Sequence, residues 1–321
     1  MRKRVLIVQP IHKSGVEILE PHFEVKVAPD PSVDTVIKEI KGVHGVIVRT
    51  APFTRAIIEA ADSLMVIARH GVGVDNIDVA FATERGIPVA NTPYANTISV
   101  AEHVIALMTA LAKQLPKYDA ATREGQFEIR NTYSAVDLDG KTLGIIGLGR
   151  IGRELAAKCA AAFNMKVVAY DPYVGEDIMR QANVTNASSL DELLRQADFV
   201  SIHVPLVEET RGMIGARELA LMKPTAFLIN AARGGIVDEN ALAEALRNRQ
   251  LAGAGIDVFA EEPPGPQNPL FNLDNVILTP HSGALTRECV VRMATGAAEA
   301  VRDVLLGGRA RYVVNPEVYG K

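Results

Sequence analysis

A chain of 321 residues, 48% hydrophobic and 22% charged, has ordinary globular composition and is long enough for two domains whose cores need no disulfide or metal staple. Its net charge of −4 argues against nucleic acid or an anionic membrane as partner, and its two cysteines, Cys159 and Cys289, lie far apart without metal-ligand spacing, so they read as reduced thiols of a cytoplasmic protein with no metal. The first apolar run, residues 5–8, is too short for a signal peptide, and no apolar stretch approaches the roughly 20 residues of a membrane span.

Short apolar runs alternate with helical patterns from end to end, which predicts an α/β protein with parallel sheets. Runs at 4–8, 24–27, 45–49, 65–68 and 88–90 read as strands of a first small sheet, with helices such as 32–40 and 54–61 between them. A longer helix then begins near Thr97 or Ser99. Ser99 offers an N-cap, Glu102 three residues on completes a capping box, and Val100, Val104, Leu107, Met108 and Leu111 form one apolar face. Six further strands are expected at 142–146, 166–170, 199–204, 226–229, 255–258 and 276–279. A last amphipathic helix runs from Arg287 to about Leu306 and carries the chain back to the first domain.

The first of those six strands leads into Gly147-Leu148-Gly149-Arg150-Ile151-Gly152, a G-x-G-x-x-G pattern followed by the helical pattern Ile151, Leu155, Ala156, Cys159. Glycine triplets recur by chance, but a strand before and a helix after make this one specific. Gly147 permits the tight turn, Gly149 lets backbone approach a pyrophosphate, and Gly152 permits close helix–strand packing, while the helix N-terminus offers free N–H groups to phosphate. Arg150 either bonds the pyrophosphate or stays solvated at the helix start. Asp171 closes the next strand, 19 residues past Gly152. A carboxylate there accepts the adenosine ribose hydroxyls and repels a 2′-phosphate, which favours NAD. The expected fold is α/β: a doubly wound Rossmann cofactor domain, residues 99–286, inserted in a smaller flavodoxin-like α/β substrate domain made of 1–98 and 287–321.

Three later segments place an ionisable residue just after a predicted strand: Arg233 in Asn230-Ala231-Ala232-Arg233-Gly234-Gly235, Glu262 in Asp257-Val258-Phe259-Ala260-Glu261-Glu262-Pro263, and His281 in Pro280-His281-Ser282-Gly283. Ligands of open α/β sheets bind beyond the carboxyl ends of strands, so the three residues can converge. Reducing a 2-oxo acid needs a proton donor near neutral pH, for which histidine is suited. A neighbouring carboxylate favours the imidazolium, and an arginine grips the substrate carboxylate and polarises the C2 oxygen. Each residue alone also reads as an ordinary loop side chain. It is their joint placement downstream of a nucleotide fingerprint that points to a catalytic trio.

These segments, with Gly71-Val72-Gly73-Val74-Asp75-Asn76-Ile77-Asp78 and Asn91-Thr92-Pro93, make the chain resemble the D-2-hydroxyacid dehydrogenase family over nearly its whole length. The resemblance implies Arg233, Glu262 and His281 as catalytic residues, a cleft between domains that closes on cofactor, and a homodimer built largely through the cofactor domains. By position it implies that Arg49 contacts a distal anionic group of the substrate and that Gly71, Val72 and Gly73 hold its carboxylate. It places His203 and Pro205 at the adenine side, and Thr97, Ala231, Asp257 and Gly283 near the nicotinamide. The 3-phosphoglycerate and hydroxypyruvate/glyoxylate branches are nearest. Ser282-Gly283-Ala284-Leu285-Thr286 departs from the Gly-Ala-Ser-Thr usual after the histidine in phosphoglycerate members, which questions the substrate but not the hydride chemistry. The formate branch is disfavoured, because it resembles a glutamine at position 262. The chain stops soon after its last helix, so a C-terminal regulatory domain is not expected. The alternative function is an NAD(H)-sensing binding protein like the corepressors that share the fold.

Overall fold

A computed structural model describes residues 2–132 and 134–320. The chain divides into two compact units, Met1–Asn96 with Ala284–Lys321, and Thr97–Gly283. The first opens with β1 (Arg4–Ile7), α1 (Lys13–Leu19), β2 (Glu24–Val27), α2 (Val33–Glu39), β3 (Gly45–Val48), α3 (Arg55–Ala60), β4 (Val66–Arg69), α4 (Val79–Glu84) and β5 (Val89–Ala90). The second begins with α5 (Thr97–Ala112) and α6 (Leu115–Arg123). It continues through β6 (Thr142–Ile146), α7 (Arg150–Phe163), β7 (Lys166–Tyr170), α8 (Glu176–Gln181), β8 (Thr185–Asn186), α9 (Leu190–Gln196) and β9 (Phe199–Ile202). It ends with α10 (Ala216–Leu221), β10 (Phe227–Asn230), α11 (Glu239–Arg247), β11 (Gly253–Ile256) and β12 (Val276–Leu278), and α12 (Arg287–Leu305) belongs again to the first unit.

The first unit's sheet has the order β2-β1-β3-β4-β5, all parallel, which is the flavodoxin-like order expected. Successive side chains of a strand face opposite ways, and the cores follow that period. Leu6, Val46 and Ile67 pack with Val36, Ile57 and Phe81 on one face, whereas Val5, Ile7 and Ile47 pack with Leu19, Ala297 and Val301 on the other. The second face therefore depends on α12, which the chain supplies some 200 residues later. Thr286 starts that helix by accepting the Cys289 N–H at 3.1 Å.

The second unit's sheet runs β12-β11-β10-β9-β6-β7-β8, again all parallel. One face packs Ile146, Val200, Leu228 and Ile256 against α9, α10 and α11, and the other packs Leu143, Ile145, Val167 and Ile229 against α5 and α7. Strand order reverses at β6, between β7 and β9, and that switch point is where a doubly wound sheet opens a crevice. Both cysteines are buried and neither forms a disulfide, and burial pushes the Cys159 thiol up to about 12. Among the described residues no single helix is long and apolar enough to cross a membrane.

Some sequence expectations need correction. Ser99 is not an N-cap: α5 starts two residues earlier, at Thr97, and Ser99 is buried inside it. Glu102 does not close a capping box but pairs with Lys158 of α7 at 3.5 Å, an interhelical use that local spacing cannot reveal. The second sheet has a seventh strand, β8, whose two exposed polar residues carry no apolar run because it is the sheet edge. Finally, the strands expected at 45–49, 199–204 and 255–258 stop at Val48, Ile202 and Ile256. Arg49, His203 and Asp257 thus lie in loops rather than in the ladder.

Candidate active site

Residues singled out from the sequence follow strands with unusual regularity. Arg49, Gly147, Asp171, His203, Ala231 and Asp257 each occupy the first position after β3, β6, β7, β9, β10 and β11. At that point the side chain has left the pleat while the backbone still crosses to its neighbour, as in His203 N–H to Ile146 O (2.7 Å) and Asp257 N–H to Asn230 O (2.9 Å). All these groups consequently stand at the carboxyl edges of the two sheets.

The glycine turn is built as its residue types require. Gly147 has φ +91°, and a Cβ there would lie 2.9 Å from the His203 carbonyl oxygen. A Cβ on Gly152 would meet Gly147 O at 2.4 Å, so α7 cannot pack this close with any other residue. By contrast a Cβ on Gly149, the N-cap of α7, would meet nothing within 4 Å. That bare backbone at the start of a 14-residue helix fits a diphosphate, as do Arg150 and Ile151 in the first turn. Asp171 is held at the rim, its carboxylate accepting the N–H of Leu148 (2.8 Å) and of Tyr173 (2.9 Å), with lone pairs remaining for ribose hydroxyls. His203 bonds Ser201 Oγ through Nε2 at 2.8 Å, and burial lowers its pKa to about 4, so it is a neutral wall of the turn, with Pro205 two residues on. Thr97 opens α5 with a buried Oγ1 that has no hydrogen-bond partner among the described residues, which suits contact with a polar group of a cofactor.

The three candidate segments meet through a chain of contacts. Gly234 lies against the loop after β11 so closely that a Cβ would come within 1.7 Å of Phe259 O. The Phe259 N–H donates to Glu262 Oε1 (3.1 Å), and Glu262 Oε2 is 2.8 Å from His281 Nδ1. Burial works to raise the Glu262 pKa, but the bonds from His281 and the Phe259 N–H outweigh it and hold the carboxyl below its usual range. An ionised Glu262 thus accepts a hydrogen bond from Nδ1–H and leaves Nε2 outside this contact. Arg233 is half-buried and donates to Ala232 O at 2.7 Å, while buried Asn230 staples its loop, accepting the Ala232 N–H (3.1 Å) and donating to Arg233 O (2.9 Å).

The turn that carries His281 is wrapped around Asp257. Three consecutive N–H groups end on that residue: His281 on its carbonyl (2.7 Å), Ser282 on Oδ1 (2.8 Å) and Gly283 on Oδ2 (2.9 Å). Thr279 Oγ1 adds a fourth bond at 2.6 Å. Burial pushes the Asp257 pKa up, but the bonds from His103, Thr279, Ser282 and Gly283 prevail and keep it low. His281 itself has φ +51°, a left-handed conformation that costs a non-glycine residue about 1–2 kcal/mol, which these bonds oppose. A cavity of about 330 Å³ lined by Phe259, Glu262, Pro263, Leu278, Pro280 and His281 adjoins the pair. Sequence reasoning missed Asn230, His103 and Thr279, since a buried polar residue in a helix or strand end reads equally well as packing.

In the first unit, Arg49 donates to Pro10 O (2.7 Å), and Asn76 Nδ2 ties its backbone oxygen to Ala51 O (3.2 and 2.7 Å). Gly71 has φ +140° beside the Arg69 guanidinium, and Val72 O accepts the Asn91 amide at 2.8 Å, shaping the Gly71-Val72-Gly73 loop at the end of β4. His70 is 6% exposed, and burial, with Arg49 and Arg69 adding to it, lowers its pKa to about 4.

Known proteins resemble this chain over most of its length. Residues 105–283 match the family model described as D-isomer specific 2-hydroxyacid dehydrogenase, NAD binding domain. The chain is 45% identical over 313 residues to a D-3-phosphoglycerate dehydrogenase of Methanocaldococcus jannaschii, covering 97% of this chain but only 59% of that protein. It is 39% identical to a glyoxylate reductase of Korarchaeum cryptofilum, covering 99% and 97% of the two chains. The crystal structure of the TT0316 protein from Thermus thermophilus superposes with a TM-score of 0.90 at 36% identity, covering 97% of this chain and 99% of that one. The chain therefore belongs to the D-isomer specific 2-hydroxyacid dehydrogenase family.

Proposed function

We propose that the protein is an NAD-dependent oxidoreductase acting at C2 of a small D-2-hydroxy or 2-oxo acid, with 3-phosphoglycerate and hydroxypyruvate or glyoxylate as the nearest candidates. The observation that carries this reading is the 2.8 Å contact of Glu262 with His281 Nδ1, which leaves a proton-exchanging nitrogen on a left-handed turn beside the Arg233 loop. A dinucleotide held at the glycine turn and the N-terminus of α7 would supply or accept the hydride. His281 Nε2 gives a proton to the C2 oxygen during reduction and takes it back during oxidation. Glu262, kept ionised, stabilises the imidazolium. Arg233 grips the substrate carboxylate and the developing alkoxide.

Gly147, Gly149, Arg150, Ile151 and Gly152 would cradle the diphosphate, Asp171 the ribose, His203 and Pro205 the adenine side. Thr97, Ala231 and Gly283 would border the nicotinamide. Asp257, its carboxylate already engaged, acts there through the turn it holds. In this reading Met1–Asn96 with Ala284–Lys321 is the substrate domain and Thr97–Gly283 the cofactor domain. Gly71, Val72 and Gly73 would hold the substrate carboxylate and Arg49 a distal anionic group. A homodimer in the cytoplasm completes the proposal. The test is NADH oxidation with hydroxypyruvate, glyoxylate, pyruvate, 2-oxoglutarate and 3-phosphohydroxypyruvate. One of these is expected to turn over in the wild type, and His281→Ala is expected to abolish that turnover while NADH binding persists. Undiminished turnover in the variant would reject the role of His281.

A further inference from the structure

His103 lies in α5, outside the catalytic trio, yet its ring is aimed at the back of the turn that carries His281. Its Nε2 is 3.1 Å from Thr279 Oγ1 and 3.4 Å from Asp257 Oδ1, and its side chain is 20% exposed. The hydrogen-bond inventory determines which nitrogen holds the proton. Thr279 has one hydroxyl hydrogen, and the 2.6 Å contact with the Asp257 carboxylate, which has no hydrogen to give, uses it. Thr279 Oγ1 can then only accept from His103, so Nε2 carries the hydrogen.

The ring also faces the end of the turn: a Cβ built on Gly283 would lie 3.1 Å from Asp257 Oδ2 and 3.4 Å, an ordinary van der Waals distance, from His103 Cδ2. The contacts of Nε2 with Thr279 Oγ1 and Asp257 Oδ1 therefore hold the turn at residues 279–283 from a helix that also packs against β10, β11 and β12.

We propose that His103 is a positioning residue for the reaction: through Thr279 and Asp257 it locks the turn in the conformation that presents His281 to the substrate. The inference rests on the reading of His281 as proton donor, but its test does not depend on turnover alone. Without His103, Asp257 loses the helix anchor, and the N–H groups of His281, Ser282 and Gly283 should open more often. His103→Gln keeps a donor nitrogen close to the Nε2 position, whereas His103→Ala removes it.

The experiment is amide hydrogen exchange and steady-state kinetics on wild type, His103→Ala, His103→Gln, Thr279→Val and the double variant His103→Ala/Thr279→Val. In His103→Ala, protection of the amides of residues 281–283 is expected to fall by about tenfold or more while that of β6 and α7 is unchanged. The Kd for NADH should stay within about twofold, and kcat should fall about tenfold, as expected when a reacting group is misplaced by a fraction of an ångström. His103→Gln should restore both protection and kcat. The double variant should lose less than the two single losses combined, because the His103–Thr279 bond is removed by either substitution. Unchanged protection at 281–283 in His103→Ala, or loss spread over the whole unit and not rescued by glutamine, would overturn the proposal. If instead protection falls locally but the wild type reduces no 2-oxo acid, the positioning role stands and the assigned reaction fails.

Discussion

Backbone contacts restrict the Glu262–His281 pair, to which the proposed reaction assigns proton transfer. Both carboxylate oxygens of Glu262 are occupied, one by the Phe259 N–H and one by the imidazole, so the charge cannot rotate away from the ring. Glu262→Gln retains an acceptor for Nδ1 but loses the charge that favours imidazolium. Its kcat for reduction near neutral pH is expected to drop about ten- to a hundredfold, with a smaller change in KM, measurable by steady-state kinetics. His70 offers a pH test of stability. Its pKa is lowered from 6.5 to about 4 in the folded protein, so the unfolded chain binds the extra proton as pH falls between those values. The neutral buried ring therefore contributes nothing adverse above pH 6.5, and stability is lost as pH falls from 6.5 toward 4. The loss amounts to roughly 2–3 kcal/mol between about pH 7 and 4.5. Urea unfolding at those two pH values should show a shallower decline in His70→Gln than in the wild type, and parallel declines would contradict this.

At the scale of elements, the approach of α1 to α12 is unusually close. A Cβ on Gly15 would lie 2.7 Å from Ala294 O, so α1 rests on α12 backbone to backbone. Gly15→Ala should force the helices apart and destabilise the protein by about 1–3 kcal/mol, read as a lowered urea midpoint with an unchanged slope. A wild-type midpoint would mean that the helices have slack. The strand pattern was legible in the sequence where apolar runs were largely buried, as in 142–146 and 166–170, whose bounds coincide with β6 and β7. It was not legible at β8, whose pairing with β7 comes from the sheet's edge rather than from its own Thr185 and Asn186. Nor was it legible at Ser99, where packing on β10 and β11 and the Glu102–Lys158 pair override a local cap signal. The expected strand ends ran past the true ladder because apolar residues such as Val258 and Val204 continue into the loops.

For the whole molecule, cofactor choice gives a prediction. Asp171 would repel a ribose phosphate and also supports the glycine turn through Leu148 N–H. Asp171→Ala should accordingly lower the ratio of kcat/KM for NADH over NADPH about tenfold or more, and weaken NADH binding too. An unchanged ratio would place ribose recognition elsewhere. Free NADH at about a hundred times its Kd should stabilise the wild type by about 2.7 kcal/mol in thermal unfolding.

Residue types and spacing were sufficient to determine the fold class, the glycine turn and the candidacy of the Arg233, Glu262 and His281 trio, because each leaves a local signature: a buried run, a φ that glycine tolerates best, an ionisable group after a strand. Only tertiary structure decided that Gly234, Phe259 and Glu262 link those segments, that three successive N–H groups close on Asp257, and that His103 reaches the same turn from a helix far upstream in the chain. Hydrogen bonds between distant segments have no period and no local composition, so they become apparent only once the chain has folded.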